Sequence, residues 1–181
     1  IKLPQTVKYI KNNAFSSCTD LIKIELNEGL TSIGAAAFAN CSKLKTVSIP
    51  DTVESIENSA FANCSGLSKV ELPKFLGSIG TRSFYKCKNL TNLDFPKNLK
   101  IIGEEAFYGC ESLTSIDLPT SLTSVQDEAF GECMNIINIT IPPCLGNIGN
   151  VFSSKEIENV KLMEGLTRIG PFSFFDCEKL R

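Results

Sequence analysis

Apolar and polar positions along this chain recur with a period of 23 residues. Each unit opens on an apolar, polar, apolar triplet such as Ile24-Glu25-Leu26 or Val47-Ser48-Ile49, the alternation of a short half-buried strand. Proline follows directly at Pro50, Pro73, Pro96, Pro119 and Pro142, and its missing N–H and fixed φ end the ladder there. A second short apolar stretch runs from Leu30, Val53, Leu76, Leu99 and Leu122 to Ile33, Ile79 and Ile102. The glycines that come next, Gly34, Gly80, Gly103, Gly149 and Gly170, are read as bend residues of positive φ. An Ala-Phe pair closes the pattern. Phe15, Phe38, Phe61, Phe84, Phe107, Phe130, Phe152 and Phe174 form one column, too bulky and regular to lie outside the core. The segment around them, such as Asn58 to Cys64, predicts one helical or 3₁₀ turn.

Self-similarity of this length means one supersecondary unit stacked many times, each copy burying its apolar face against the next. The units run 1–23, 24–46, 47–69, 70–92, 93–115, 116–138, 139–159 and 160–181, so about eight coils fill a single domain. At the strand spacing of about 4.8 Å they span roughly 35 to 40 Å. The seventh unit is two residues short and carries Lys155 where the others have cysteine.

The consensus L-x-x-ψ-x-ψ-P-x-x-ψ-x-x-I-G-x-x-A-F-x-x-C, with ψ aliphatic, resembles the BspA-like leucine-rich repeats found on surface proteins of bacteria and some parasitic protists. The likeness covers the whole chain. It implies a curved leucine-rich repeat solenoid with a parallel sheet on one face and short strands and turns on the other. It further implies a cell-surface or secreted location and a role in adhesion or recognition of a protein or glycan. The repeat positions are scaffold, so the motif carries over no functional residue.

Composition narrows the partners. Lys plus Arg number 18 against 20 Asp plus Glu, which leaves no basic footprint for nucleic acid, and no apolar run is long enough for membrane insertion. With no initiator methionine, leader or capping unit in view, the chain reads as an excerpt of a longer protein.

Catalytic chemistry finds no foothold. The chain has no histidine, so Ser-His and Cys-His pairs and the commonest general base are missing, and no cofactor motif is present. Metal ligation is equally unsupported. Eight cysteines without a C-x-x-C pair lack zinc spacing, and calcium-loop spacing is absent. Cys18, Cys41, Cys64, Cys87, Cys110, Cys133 and Cys177 are read as reduced, buried small hydrophobes. Stacked Cβ atoms about 4.8 Å apart exceed disulfide reach. Cys144 falls on the turn after the strand and is expected to be the exposed thiol. Sequons at Asn40, Asn63, Asn89 and Asn138 are read as chance occurrences.

Binding is sought where the chain departs from its repeat. After the core phenylalanine most units carry Ser16, Ala39, Ala62 or Gly131, but two carry Tyr85 and Tyr108. These are read either as an exposed interface patch or as a cover for the core edge. Glu25, Glu71, Asp94 and Asp117 line up as outward residues of the first strand, flanked by Lys23 and Lys69. They are either a charged contact face or simply a solvated one. Ile101 interrupts an outward row of Ser32, Ser55, Ser78 and Ser124. The reading that follows is a non-enzymatic binding module whose partner-facing residues are Tyr85, Tyr108, Glu71, Asp94, Asp117 and Ile101. The alternative is a structural spacer or stalk holding another domain away from the cell.

Overall fold

A computed structural model describes residues 1–143 and 150–181. Thirteen short strands follow one another: β1 (Tyr9–Ile10), β2 (Ser32–Ile33), β3 (Thr46–Ser48), β4 (Ser55–Ile56), β5 (Lys69–Glu71), β6 (Ser78–Ile79), β7 (Ile101–Ile102), β8 (Ser115–Asp117), β9 (Ser124–Val125), β10 (Phe130–Gly131), β11 (Asn138–Ile141), β12 (Phe152–Ser153) and β13 (Asn159–Leu162). Every pairing is parallel. The chain is a parallel β-solenoid.

The longest sheet is built from the second apolar stretch of each coil. It runs β1-β2-β4-β6-β7-β9 without a break, so one ladder joins six successive turns. Ser55 pairs with Ser78 and Ile56 with Ile79, one repeat apart, because a one-residue slip would turn every isoleucine outward. The Pro-x-x-ψ step before it is a tight turn, in which the Val53 N–H bonds the Pro50 carbonyl and the Leu76 N–H that of Pro73.

The triplet strands form a second, parallel face, and here the ladder is interrupted. Bridges Lys2↔Glu25 and Lys23↔Thr46 lead into β3-β5, and Lys69↔Asn92 adds one more contact. Pairing then lapses at Leu93, Asp94 and Phe95 and resumes only in the separate sheet β13-β11-β8. The third triplet position is Leu26, Ile49, Leu72 and Leu118 in other coils but Phe95 here. Its ring meets Phe107 and Phe130 edge-on, with centroids 5.7 and 6.3 Å apart. The triplet that carries this bulkier side chain is the one at which pairing lapses, although the Lys69↔Asn92 bridge before it keeps the register of one repeat.

The phenylalanine column is as expected from the spacing through Phe152, whereas Phe174 has no stacking contact among the described residues and, like Phe15, is half-buried. From Phe15 to Phe152 successive rings stack nearly parallel, with centroids 5.2 to 5.5 Å apart, and Phe38, Phe61, Phe84, Phe107, Phe130 and Phe152 are fully buried.

Two expectations need correcting. No helical or 3₁₀ turn surrounds the phenylalanines among the described residues. The N–H groups of Asn13, Phe15 and Ser17 bond Ala35, Ala37 and Ala39 of the next coil at 2.7 to 2.9 Å, while Ala14, Ser16 and Cys18 bond back within their own coil. A helix would send every N–H along its own axis, so this alternation makes the segment a third inter-coil ladder. It needs two left-handed residues per coil, as at Ala36 (φ 52) and Asn40 (φ 63), or Arg82 and Lys86, and their inter-coil bonds offset the cost of that conformation.

The described glycines after isoleucine are not positive-φ residues either, since among the described glycines only Gly109 and Gly165 are; Gly149 lies outside the described residues. They are glycine because the coils approach closely. A Cβ on Gly34 would fall 2.5 Å from Asn12 Oδ1, and one on Gly103 would fall 2.6 Å from the Thr81 nitrogen.

Candidate functional site

The cysteine column is structural and does more than fill space. The thiols of Cys41, Cys64, Cys87, Cys110 and Cys133 donate to the carbonyls of Phe15, Phe38, Phe61, Phe84 and Phe107 at 3.0 to 3.3 Å. These five are buried and all described thiols are free. Burial pushes Cys87 and Cys133 up to about 12 and Cys110 well above the ordinary thiol range, which makes them inert. Cys18 corrects the expectation of burial: it is exposed in the first coil, and Cys177 is half-buried. Cys144 lies outside the described residues.

The six residues singled out from the sequence fall on three separate faces. Tyr85 and Tyr108 lie on the turn face and stack on each other with centroids 5.3 Å apart. They are half-buried rather than fully exposed. Lys86 Nζ sits 5.0 Å from the Tyr85 ring centre and the Arg82 guanidinium 5.7 Å. The Tyr108 ring covers Gly131, where a Cβ would meet its Cδ2 at 2.8 Å. Burial, with Glu132 and Glu128 nearby, raises the Tyr108 phenol. The ring faces are thus occupied within the protein.

Ile101 lies on the outer side of the six-stranded sheet and is 41% exposed. The sequence reading missed its counterpart at the other end of the same row. Tyr9 pairs with Ser32 in register, is 58% exposed and has Lys11 Nζ 5.0 Å from its ring centre. Counting back 23 residues from Ser32 would have found it.

Glu71, Asp94 and Asp117 share the triplet face. Lysine two residues earlier on the same strand neutralises part of this column: Lys23 bonds Glu25 at 2.9 Å and Lys69 bonds Glu71 at 2.7 Å. Hydrogen bonds from those lysines hold the Glu25 and Glu71 carboxyls below the usual carboxylate range. Asn92 and Ser115 occupy the equivalent places before Asp94 and Asp117. Neither aspartate has an ion-pair partner among the described residues.

The lapse in pairing coincides with a set of hollows. A groove of about 520 Å³ runs between β5 and Asp94, lined by Lys69, Glu71, Leu72, Thr91 and Asn92. A more apolar hollow of about 420 Å³ adjoins it, lined by Leu72, Phe95, Pro96, Asp94, Lys74 and Lys97. A third, of about 340 Å³, lies on the other side of Leu72, between Asp51 and Glu71. Leu72 lines all three. Openings of about 660 Å³ at Ile1–Lys23 and about 470 Å³ at Leu162–Ile169 lie on the first and last coils. Among the described residues no group of acids and cysteines is arranged to hold a metal ion, and no helix is long and apolar enough to cross a membrane.

The sequon residues Asn40 and Asn63 are exposed, and their side chains bond each other at 3.1 Å. Asn138 accepts from Asn159 at 3.0 Å.

Comparison with known proteins places this geometry. The family described as BspA type leucine rich repeat region matches residues 1–93 and 77–181, in six copies. No curated protein matches the chain. A leucine-rich repeat protein from Treponema pallidum superposes over 100% of the chain and 77% of its own, at 24% identity and a TM-score of 0.75. A leucine-rich repeat protein of Bacteroides ovatus does so over 99% of the chain and 58% of its own, at 26% identity and a TM-score of 0.76. A leucine-rich cell surface protein of Faecalibacterium prausnitzii covers 89% of the chain, at 24% identity and a TM-score of 0.64, and the chain spans 59% of it. The chain therefore spans less than two thirds of the last two.

Proposed function

The chain belongs to the BspA-type leucine-rich repeat family, and from that premise we propose that it is a non-enzymatic binding module of a cell-surface or secreted protein. It recognises a protein partner through the face built by the triplet strands. One observation carries this reading. On that face Asp94 and Asp117 stand without the lysine that neutralises Glu25 and Glu71, beside the point where the ladder lapses. Solenoids present extended surfaces whose specificity lies in such non-repeating positions. The name of the Faecalibacterium relative, a cell surface protein, supports the location.

A spacer role is the second reading, and it too has an observation in its favour. Pairs one repeat apart, Asp20 with Lys43, Asp51 with Lys74, Arg82 with Glu105 and Lys88 with Glu111, tie the first coil to the second, the third to the fourth and the fourth to the fifth, as in a rod that satisfies its own surface.

The test is direct binding of the immobilised module to a panel of purified extracellular matrix and epithelial surface proteins. The expected result is saturable binding that weakens with salt and falls about tenfold on Asp94→Asn with Asp117→Asn. Unchanged binding by that double variant would move the contact elsewhere, and a module that binds no member of the panel favours the spacer.

A further inference from the structure

We propose, resting on the binding-module reading, that the lapse at Leu93–Phe95 is a docking groove for an extended peptide segment of the partner, basic at one end, apolar in the middle and acidic at the other. Three observations converge on it.

The main chain comes first. Among the described residues, no backbone hydrogen bond joins Leu93, Asp94 or Phe95 to either neighbouring coil, although Thr91 still bonds Ser68 before them and Leu99 bonds Pro96 after them. The segment is therefore anchored at both ends while its own N–H and C=O groups go without protein partners. An extended peptide offers the matching row of donors and acceptors, as when a strand is recognised through its backbone. A glycan offers hydroxyls instead, without that alternation.

Shape comes next. Three hollows share Leu72 as a lining residue, so they lie side by side along the face rather than at one point. The apolar part, at Leu72, Phe95 and Pro96, suits one aliphatic side chain.

Charge then fixes the orientation. The apolar hollow is bounded by Asp94 on one side and Lys97 on the other, and neither has an ion-pair partner among the described residues. Glu71 and Lys74, which also border the hollows, are each matched, by Lys69 and Asp51. What is left without a direct ion pair among the described residues is one anion, which Lys69 only influences at a distance, and one cation, about three residues of chain apart, roughly 10 Å if extended. A peptide with a basic residue, an aliphatic residue two further on and an acidic residue two beyond that presents all three side chains on one face.

The probe is a synthetic capped pentapeptide, Lys-Thr-Val-Thr-Glu, titrated to millimolar concentration into the isotopically labelled 181-residue chain while amide chemical shifts are followed. Saturable shifts confined to residues 69–74 and 92–97 are expected. The peptide Gln-Thr-Val-Thr-Gln should bind about tenfold more weakly. Phe95→Leu, which restores the aliphatic residue of the other coils, should close the groove: binding is lost, and the amides of residues 93–95 exchange more slowly because they regain coil partners. Should that variant fold poorly, Asp94→Lys alters only an exposed side chain and should lower affinity about tenfold. The proposal is overturned if the peptide shifts none of these amides, if the glutamine peptide binds equally well, or if neutral oligosaccharides shift them when the peptide does not. A failed peptide titration alongside Asp94-dependent binding to a panel protein would sink the groove but leave the binding module standing. Loss of both would sink both.

Discussion

The Cys64 thiol donates to the Phe38 carbonyl of the preceding coil at 3.0 Å, and that same carbonyl accepts the Cys41 N–H at 3.2 Å. One oxygen thus ties together a coil's own turn and the coil above it. This explains why cysteine recurs: alanine would fill the space without reaching the oxygen, and serine would bring a more strongly hydrated group into a dry column.

The first prediction concerns those thiols. In the native protein a thiol reagent should label Cys18 quickly, Cys177 more slowly, and Cys41, Cys64, Cys87, Cys110 and Cys133 only on unfolding. Fast native labelling of any of these five, followed by mass spectrometry of the peptides, would refute the buried ladder.

Stability should fall in alkali for the same reason. An unfolded thiol ionises near about 8.5, whereas Cys87 in the folded chain holds its proton up to about 12. The stabilisation is fully present below the unfolded value and is lost as pH rises from there towards 12. Each such thiol contributes a slope of about 1.4 kcal/mol per pH unit. Urea unfolding under reductant at several pH values should show a shallower decline for Cys87→Ala than for the parent chain.

Ser83 occupies a position that four other coils fill with Ala37, Ala60, Ala106 and Ala129, is fully buried, and its hydroxyl has no hydrogen-bond partner. Ser83→Ala should stabilise the protein by about 1 kcal/mol, measured as a higher urea midpoint at unchanged slope. No change would mean that a water or an unseen acceptor satisfies the hydroxyl.

Glycines separate by their surroundings. Gly103→Ala would thrust a methyl group to 2.6 Å from backbone and should cost about 1 to 3 kcal/mol. At Gly77 the nearest atom is 3.7 Å away and φ is not positive, so Gly77→Ala should be neutral or stabilise by about 0.4 to 1 kcal/mol. Equal effects at the two sites, read by thermal unfolding, would contradict close coil approach as the reason for Gly103.

Inside and outside positions separate just as clearly. Phe84→Ala, in the middle of the ring column, should cost about 3 to 5 kcal/mol, and Asp94→Ala, exposed on the triplet strand, less than about 0.5 kcal/mol. Chemical denaturation of the two variants decides this.

What the sequence revealed was whatever repeats. Ile56, Phe61 and Cys64 each recur often enough that their period places them inside, and the prolines mark where triplet strands stop. The turn around Phe61 was misread because five or six residues suit a helical turn locally, and nothing in residue type announces that alternate N–H groups go to the next coil. Gly80 was misread in a similar way: its neighbour Asn58 lies 22 residues earlier, so the crowding is invisible until the coils are stacked. Phe95 was legible as a departure from the repeat but was passed over as one more apolar residue. Its effect on the ladder depends on Phe107 and Phe130, which only the fold brings to it. Tyr85 and Tyr108 were correctly placed side by side, while Arg82, Lys86 and Gly131, which occupy their faces, could be paired with them only in three dimensions.

The interrupted triplet ladder also has a mechanical meaning. Each coil packs about 80 Å of extendable chain into a height of about 4.8 Å, so a solenoid pulled along its axis can lengthen many-fold, one joint at a time. Among the described residues, the joints between the first four coils are held by three ladders in parallel, those of the triplet strands, the second strands and the phenylalanine turns. At Leu93–Phe95 only two remain. Tension transmitted through these coils would concentrate its yielding there, so the coil that carries Phe95 opens before the three that precede it.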